Sequence, residues 1–400
     1  MTPNQKEKPK NKLNIAMICD PIGSNKSGVV VSTMRFGKLL KERGHNVIFI
    51  GARSKEHRGH SQHGEIKAYR YRSLPIPKSG GWYTAFPTVQ ELKKIFQEEK
   101  IDVVHLLLPM SAAIVAIRAA KALNIKMVAH SHSQPENLFM TMPKAIQPAL
   151  GKVWNKWLAW VYSKAELIIY PSKLGHKILH HLTEKDKPFA VVSNGVNLSE
   201  FKVKDIGNFY ERFNIPKNTL KIVYVGRLFP EKSLDTLIKA MPKIIKEHPE
   251  THVMMIGGGY LRPMLEKLAK KLGVNKHITF LGLISEEDKI LAFNAGDIFI
   301  SPSFAELEGM TVLEAMACGK PIIIPDAEMN AAKFFIDDNG FLFETENHED
   351  LARQTLKLIT DPALRERFGE NSLKKVQGYD INKSAEKLEE AYYKALGSSF

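Results

Sequence analysis

LKIVYVGR, residues 220–227, is a short apolar run that ends in a glycine and an arginine, and it restarts a pattern that the chain has already run once. The first pass opens with LNIAMIC (13–19), a buried-strand run. A glycine-containing loop follows, then a helical stretch over roughly 28–43 that stops at Gly44, glycine being a common residue just past a helix end. NVIFIG (46–51), IDVVHLL (101–107), IKMVAH (125–130) and ELIIYPS (166–172) come next, with helix-length stretches between them. After residue 220 the alternation returns: a helix around 231–247, then HVMMIG, ITFLG, DIFISPS and PIIIP. Continuous apolar runs separated by helices predict parallel sheets covered on both faces. Two such sets predict an α/β protein of two Rossmann-like, doubly wound domains facing across a cleft.

A chain of 400 residues is long for one core, which agrees with two domains. Residues 1–12 read as a disordered basic tail, 13–195 as the first domain and 196–380 as the second. The boundary falls in SNGVNLSEF (193–201), where turn-forming residues separate the sets. The closing helix, roughly 381–396, has no strand after it, and the segment 381–400 is expected to return to the first domain.

Apolar content of 44% and charged content of 25% are ordinary for a soluble globular protein. No apolar run approaches the ~18–20 residues that span a bilayer, and the polar start lacks the apolar centre of a signal peptide. Cys19 and Cys318 stand far apart, so they supply no disulfide framework and fit a reducing cytosol. The net charge of +14 is uneven: residues 1–200 carry +16 and the remainder −2. A basic half suits nucleic acid, anionic lipid or a phosphorylated substrate. No nucleic-acid-binding motif accompanies it, so no nucleic-acid partner is expected.

The second half holds a compound signature. GRLFPEKS (226–233) follows its first strand and GGG (257–259) its second. SPSFAELEGMTVLEAMACGKP (301–321) then places Glu306 and Glu314 with seven residues between them. In the first half stands HSHSQPEN (130–137). These motifs resemble the retaining glycosyltransferase family 4 with its GT-B fold, over most of the chain. HSHSQPEN is similar to the acceptor-side histidine motif of the bacterial diacylglycerol glycosyltransferases in that family.

Elementary chemistry agrees with what the resemblance implies. A nucleotide sugar leaves a diphosphate behind, so the site must stabilise anionic oxygens as the bond breaks. Arg227 and Lys232 lie in a loop after a strand and at a helix start, where free amides add positive character. Ser233 stands where the family usually has glycine. The resemblance implies that Glu306 contacts the donor sugar's hydroxyls and Glu314 the nucleotide's ribose. Gly258, Gly309, Met310 and Thr311 join the donor site, with Gly309 admitting a close backbone approach. Gly28, in the first loop from Gly23, is assigned to the phosphates. Glu308 matches neither acidic position and reads as a surface residue. On the acceptor side, His132 matches the histidine near the transferred sugar and Glu136 an acid. His130 is a second candidate, and the sequence leaves open which histidine faces the cleft. The catalytic set is then His132, Glu306, Arg227 and Lys232.

AIQPALGKVWNKWLAWVYSK (145–164) has helical apolar spacing and three of the four tryptophans, Trp154, Trp157 and Trp160. Lys152 and Lys156 lie among them. Such a helix suits an anionic membrane surface, and it equally suits a core. With the basic first half, the expected membrane residues are Lys152, Trp154, Lys156 and Trp157.

The combined reading is a retaining hexosyltransferase using a nucleoside diphosphate sugar. Its expected acceptor is a hydroxyl of a membrane lipid such as diacylglycerol or a glycosylated diacylglycerol. The expected location is cytoplasmic, peripheral on the inner face of the membrane. No cofactor and no metal are expected, since no Asp-x-Asp or clustered ligand set is present. A soluble or polysaccharide-precursor acceptor, a sugar-nucleotide epimerase and a non-catalytic sugar-nucleotide binder remain as alternatives. Base, sugar, linkage and oligomeric state are not readable; segment 281–284 is where the base would be selected.

Overall fold

Asn14–Ile18 forms strand β1, and its side chains part to two sides: Ile15 and Met17 join one core, Ala16 and Ile18 the other. After Asn14 every residue of the run is apolar and buried, because both faces of the strand are covered. The computed structural model describes residues 12–22, 27–53, 61–63, 65–76, 79, 81–132, 145–184 and 186–397. Glu136 and almost all of the basic tail lie outside them.

The first sheet continues with β2 (Asn46–Ala52), β3 (Ser61–His63) and β4 (Ile66–Tyr71). A small hairpin of β5 (Ser73–Pro75) and β6 (Tyr83–Ala85) stands apart from it. The sheet resumes with β7 (Val103–Leu106), β8 (Lys126–His130), β9 (Leu167–Tyr170) and β10 (Phe189–Val191). Its order is β10-β9-β8-β7-β1-β2-β4-β3, parallel except for the β3–β4 pair. The reversal of order at β1 opens a crevice at the carboxyl ends, where open α/β sheets bind ligands.

The second sheet repeats the design with β11 (Leu220–Val225), β12 (Thr251–Ile256), β13 (Ile278–Gly282) and β14 (Ile298–Ile300). A two-stranded pair, β15 (Ala305–Glu306) with β17 (Met329–Asn330), flanks β16 (Ile322–Pro325) in sequence, and β18 (Gly340–Phe343) closes the set. The order is β13-β12-β11-β14-β16-β18, all parallel. Ile222 and Tyr224 of β11 enter one core, Val223 and Val225 the other. The fold is thus two doubly wound, Rossmann-like units, as the alternation predicts.

Five helices position the site: α1 (Gly28–Glu42), α2 (Gln147–Lys164), α3 (Leu234–Glu247), α4 (Met310–Ala317) and α5 (Ile381–Leu396). Helix α5 packs on the first sheet. Ala385, Leu388 and Tyr392 join the core beneath β1. Buried Glu389 receives Arg43 at 2.8 Å and His45 at 3.0 Å. The chain therefore crosses between the halves twice, near 193–196 and near 379–381. The two crossings touch: Val196 pairs with Asp380, and the Ile381 amide donates to the Val196 carbonyl at 3.0 Å. Gly195 has φ +66°, and a Cβ there would stand 2.7 Å from Ile381 Cα, so only glycine fits this crossing. Cys19 and Cys318 are free and buried, and burial pushes both thiols up to about 12.

Candidate active site

Arg227 and Lys232 follow β11 on one turn. The turn is a short 3-10 segment, Pro230–Lys232, that ends at Ser233 with φ +45° before α3 begins. That left-handed conformation explains why glycine suits the position; serine adopts it with strain of about 1 kcal/mol. The Ser233 hydroxyl lies 2.9 Å from the Thr236 hydroxyl, an added tie to the first helical turn. The turn is bonded to the glutamate motif. Both the Ser303 hydroxyl (2.9 Å) and the Phe304 amide (3.1 Å) donate to the Glu231 carbonyl. β15 then pairs with β17, matching Glu306 to Asn330, whose side-chain amide donates to the Ser303 carbonyl at 2.6 Å. The outcome is direct contact: Lys232 Nζ donates to Glu306 Oε1 at 2.5 Å. Arg227 donates to Glu231 Oε1 at 2.9 Å and lies over the Phe229 ring. Glu231 is buried, and its other oxygen, Oε2, has no hydrogen-bond partner among the described residues.

Gly309 caps α4 with φ +102°, and a Cβ there would meet Ala332 Cβ at 2.7 Å. The amides of Met310 and Thr311 precede the first carbonyl that a helix can offer them, so they are free for an anion. Across the cleft, Gly28 begins α1, and a methyl there would meet the Met310 sulfur at 3.7 Å. The structure therefore brings two helix N-termini, one from each half, to the same place. Gly258 faces Leu283, whose Cγ lies 3.3 Å from the site of an added Cβ; Leu283 is 78% exposed.

Glu314 lies one turn into α4 and is buried. Arg35 of α1 donates to it at 2.9 Å from the other half, and Lys289 lies 3.2 Å from its Oε2. Neither cation stood out in the sequence, because each becomes a partner only when the halves meet.

His105, His130 and His132, at the carboxyl ends of β7 and β8, form a column. His105 and His130 stack at 5.4 Å and 9°, and His130 and His132 lie 3.9 Å apart at 31°. Tyr392 of α5 meets His105 Nδ1 at 2.7 Å. His130 is buried between two rings; His132 is the outer, partly exposed member. Burial pushes His105 and His132 down to about 3 and His130 also well below the ordinary imidazole value, so the column is neutral. Neutral imidazole can donate or accept a hydrogen bond without adding charge.

Two family models match this chain. Residues 205–375 match glycosyl transferases group 1, and residues 26–200 match glycosyltransferase family 4. The chain belongs to the family 4 glycosyltransferases. It is 25% identical over 363 residues to alpha-monoglucosyldiacylglycerol synthase of Acholeplasma laidlawii, covering 86% of this chain and 88% of that one. Sucrose-phosphate synthase of Thermosynechococcus elongatus superposes with a TM-score of 0.81 at 20% identity, over 96% of this chain and 99% of the other. HepE of Anabaena, solved with UDP-glucose, gives 0.75 at 18% identity over 94% and 98%. These structural likenesses carry the GT-B fold.

In this glycosyltransferase Glu308 corrects the sequence reading. It is 4% exposed, not a surface residue. Oε2 accepts from the Asn194 amide at 3.0 Å and from its side-chain amide at 2.7 Å. Burial still pushes the carboxyl up to about 7. Asp20, at the end of β1, is also fully buried and pushed up to about 6 by burial. Its Oδ1 accepts from the Ala85 amide at 2.8 Å, which ties β1 to the hairpin. Nothing in one sequence marks a carboxylate as buried when its donors come from distant loops.

Helix α2 corrects a second expectation. Trp154 and Trp157 turn inward against the first core, and Trp157 Nε1 donates to the Pro109 carbonyl at 2.7 Å. The outward face carries Ile146, Val153 and Trp160, with Lys152 and Lys156 exposed beside them. Trp160 stacks on Trp157 at 5.1 Å. Among the described residues no helix is long and apolar enough to cross a membrane, and no cluster of three His, Cys, Asp or Glu is arranged to hold a metal ion.

Proposed function

We propose that this glycosyltransferase moves a hexosyl group, with retention, from a nucleoside diphosphate sugar to a hydroxyl of a membrane lipid such as diacylglycerol or glycosyl-diacylglycerol. The observation that carries the donor half is the meeting of two helix N-termini, at Gly28 and Met310, in the cleft that also holds the motif residues Arg227, Lys232 and Glu306. Amides and cations there match a diphosphate. Glu306 orients sugar hydroxyls once Lys232 turns to phosphate, and Glu314 takes the ribose. Support for UDP-glucose as the first donor to try comes from the HepE complex.

The step balances without a protein nucleophile. The bond from the anomeric carbon to the diphosphate oxygen breaks, and Arg227, Lys232 and the α4 amides stabilise the charge on the departing oxygen. The acceptor hydroxyl attacks the same face, its proton passes to that phosphate oxygen, and the new glycosidic bond forms. His132 holds a sugar or acceptor hydroxyl as a neutral imidazole. Two side-chain cations and the helix start supply the positive charge, so the reading needs no metal or other cofactor.

For the acceptor, support comes from the Acholeplasma relative and from the outward stripe of α2, Ile146, Val153 and Trp160 with Lys152 and Lys156. Such a face lies in the headgroup zone of an anionic membrane, here the cytoplasmic leaflet. The inward turn of Trp154 and Trp157 reduces that face, and this favours a soluble or polysaccharide-precursor acceptor as the second reading. The deciding experiment supplies radiolabelled UDP-glucose and vesicles of phosphatidylglycerol with diacylglycerol or glucosyl-diacylglycerol. Label in the lipid extract supports the first reading. Label only on added soluble sugars overturns it.

A further inference from the structure

Glu308 sits in the loop between Glu306 and the start of α4, yet its partners belong to the crossing between the halves. Asn194 donates to the carboxylate from both its backbone and its side chain. The Asn194 side-chain oxygen in turn accepts from the Ser32 hydroxyl of α1 at 2.6 Å. Ser32 and Asn194 are buried, at 0% and 5% exposure. A continuous chain of hydrogen bonds thus runs from α1, through the first crossing, to the glutamate loop. The neighbouring residue is held from the same side. The Leu307 carbonyl accepts from the Ser172 hydroxyl at 2.5 Å, and the Leu307 side chain packs on the first core.

We infer that Glu308 is a positioning residue that fastens the loop bearing Glu306 and Gly309 to the interdomain crossing at Asn194, so that closing the halves and placing the donor-binding groups are one event. The inference rests on the reading of Glu306 and the α4 start as donor site. Its chemistry is specific. The two buried Asn194 donors require an acceptor, which Glu308 Oε2 supplies, and a buried acceptor is in turn costly to keep without its donors. Any shift of the crossing that separates Asn194 from Glu308 strands two donors and a carboxylate away from water. If residue 308 is apolar, the loop keeps its tie to Ser172 through Leu307 but loses the one to the crossing at Asn194. A glutamine keeps one carbonyl oxygen for the two donors and should preserve the fastening; an alanine removes it.

The test uses the ligand-free full chain first, by hydrogen exchange. In Glu308→Ala the Asn194 amide should exchange about tenfold faster or more, and the amides of Val312 and Leu313, which bond the Gly309 carbonyl, should loosen with it, while β1 and β11 keep their protection. Ser32→Ala, which cuts the chain at its far end, should loosen the same two segments to a smaller degree, and it serves if the alanine variant at 308 fails to fold. Kinetics then separate positioning from folding: kcat in Glu308→Ala should fall about tenfold or more with donor KM changed less than about threefold, and Glu308→Gln should restore it. Faster exchange confined to Asn194 with Val312 and Leu313 unchanged, or a wild-type kcat in Glu308→Ala, overturns the inference. Should the wild-type chain transfer no sugar to any acceptor, the functional reading fails, and the exchange result still decides whether the loop is fastened through Glu308.

Discussion

Arg35 Nη2 stands 2.9 Å from Glu314 Oε1, joining the first helix of one half to the motif helix of the other. Side-chain exposures of 15% and 2% place the pair largely out of water, so its charges are not screened as surface charges are. Lys289, 3.2 Å from the second oxygen, keeps the carboxylate compensated from its own half. Removing Arg35 therefore leaves a partly neutralised acid rather than a bare one. Arg35→Ala should lower unfolding free energy by about 1–3 kcal/mol, less than the ~3–5 kcal/mol for a wholly stranded buried charge. Denaturant titration of Arg35→Ala, Glu314→Ala and the double variant should give a coupling of about 1–2 kcal/mol. Additive losses would mean that the contact does not tie the halves.

Lys232 and Glu306 hold each other in the ligand-free chain, at 13% and 20% exposure. On the proposed reading they separate when donor binds, Lys232 to phosphate and Glu306 to sugar. Lys232→Ala or Glu306→Ala should then lower kcat by about 100- to 1000-fold, the scale for losing one preorganised electrostatic contact. Circular dichroism and melting temperature should stay near wild type, because the pair opens on the cleft. Full turnover in either variant removes both residues from the donor site.

The fold was legible because the sheets are buried on both faces. Ile15–Ile18 of β1 and Ile222–Val225 of β11 are continuous apolar runs whose successive residues alternate into two cores, and no amphipathic helix imitates that. β10 and β18 escaped as edge strands, whose exposed Phe189 and Leu342 break the doubly buried pattern that marks the inner strands. β4 escaped because IKAYRY interleaves Lys67 and Arg70 at the sheet's margin. Motif spacing found Arg227, Lys232, Glu306 and Glu314, which lie on two short stretches of chain, the turn after β11 and the segment from β15 into α4. Arg35, Lys289, Asn194 and His105 became visible only through three-dimensional contact. The helical spacing of α2 was readable, but apolar residues occupy both its faces, so the sequence could not say which tryptophans face inward.

Titration should shape stability from two directions. Glu308 at about 7 and Asp20 at about 6 are raised by burial, so the protonated forms favour the fold. Their contribution is complete below the ordinary carboxyl range and is lost as pH rises, through about 6 for Asp20 and about 7 for Glu308. His105 and His132, down at about 3, act oppositely: stability is lost as pH falls from the ordinary imidazole value toward 3. Glu308→Gln removes one carboxyl from this balance. Its advantage over wild type should grow between about pH 5 and pH 8, to at most about 3 kcal/mol. Chemical denaturation across that range checks it; a constant difference would show that Glu308 does not titrate there.

The outward face of α2 should act on membranes and its inward face on folding. Val153 is 67% exposed and Trp160 37%, whereas Trp157 is anchored to the Pro109 carbonyl. Val153→Asp with Trp160→Ser removes apolar contact and adds a negative charge beside Lys152 and Lys156. At an anionic surface each lysine is worth about 1 kcal/mol, and burying the lost side chains about 1–3 kcal/mol more. Binding to phosphatidylglycerol vesicles should weaken at least tenfold with little change in melting temperature. Trp157→Ser should do the reverse, lowering stability by about 3 kcal/mol or more through the lost packing and hydrogen bond. Vesicle flotation beside thermal melts of both variants checks the division. If the outer double variant floats as wild type does, α2 is not the membrane contact, and the soluble-acceptor reading gains.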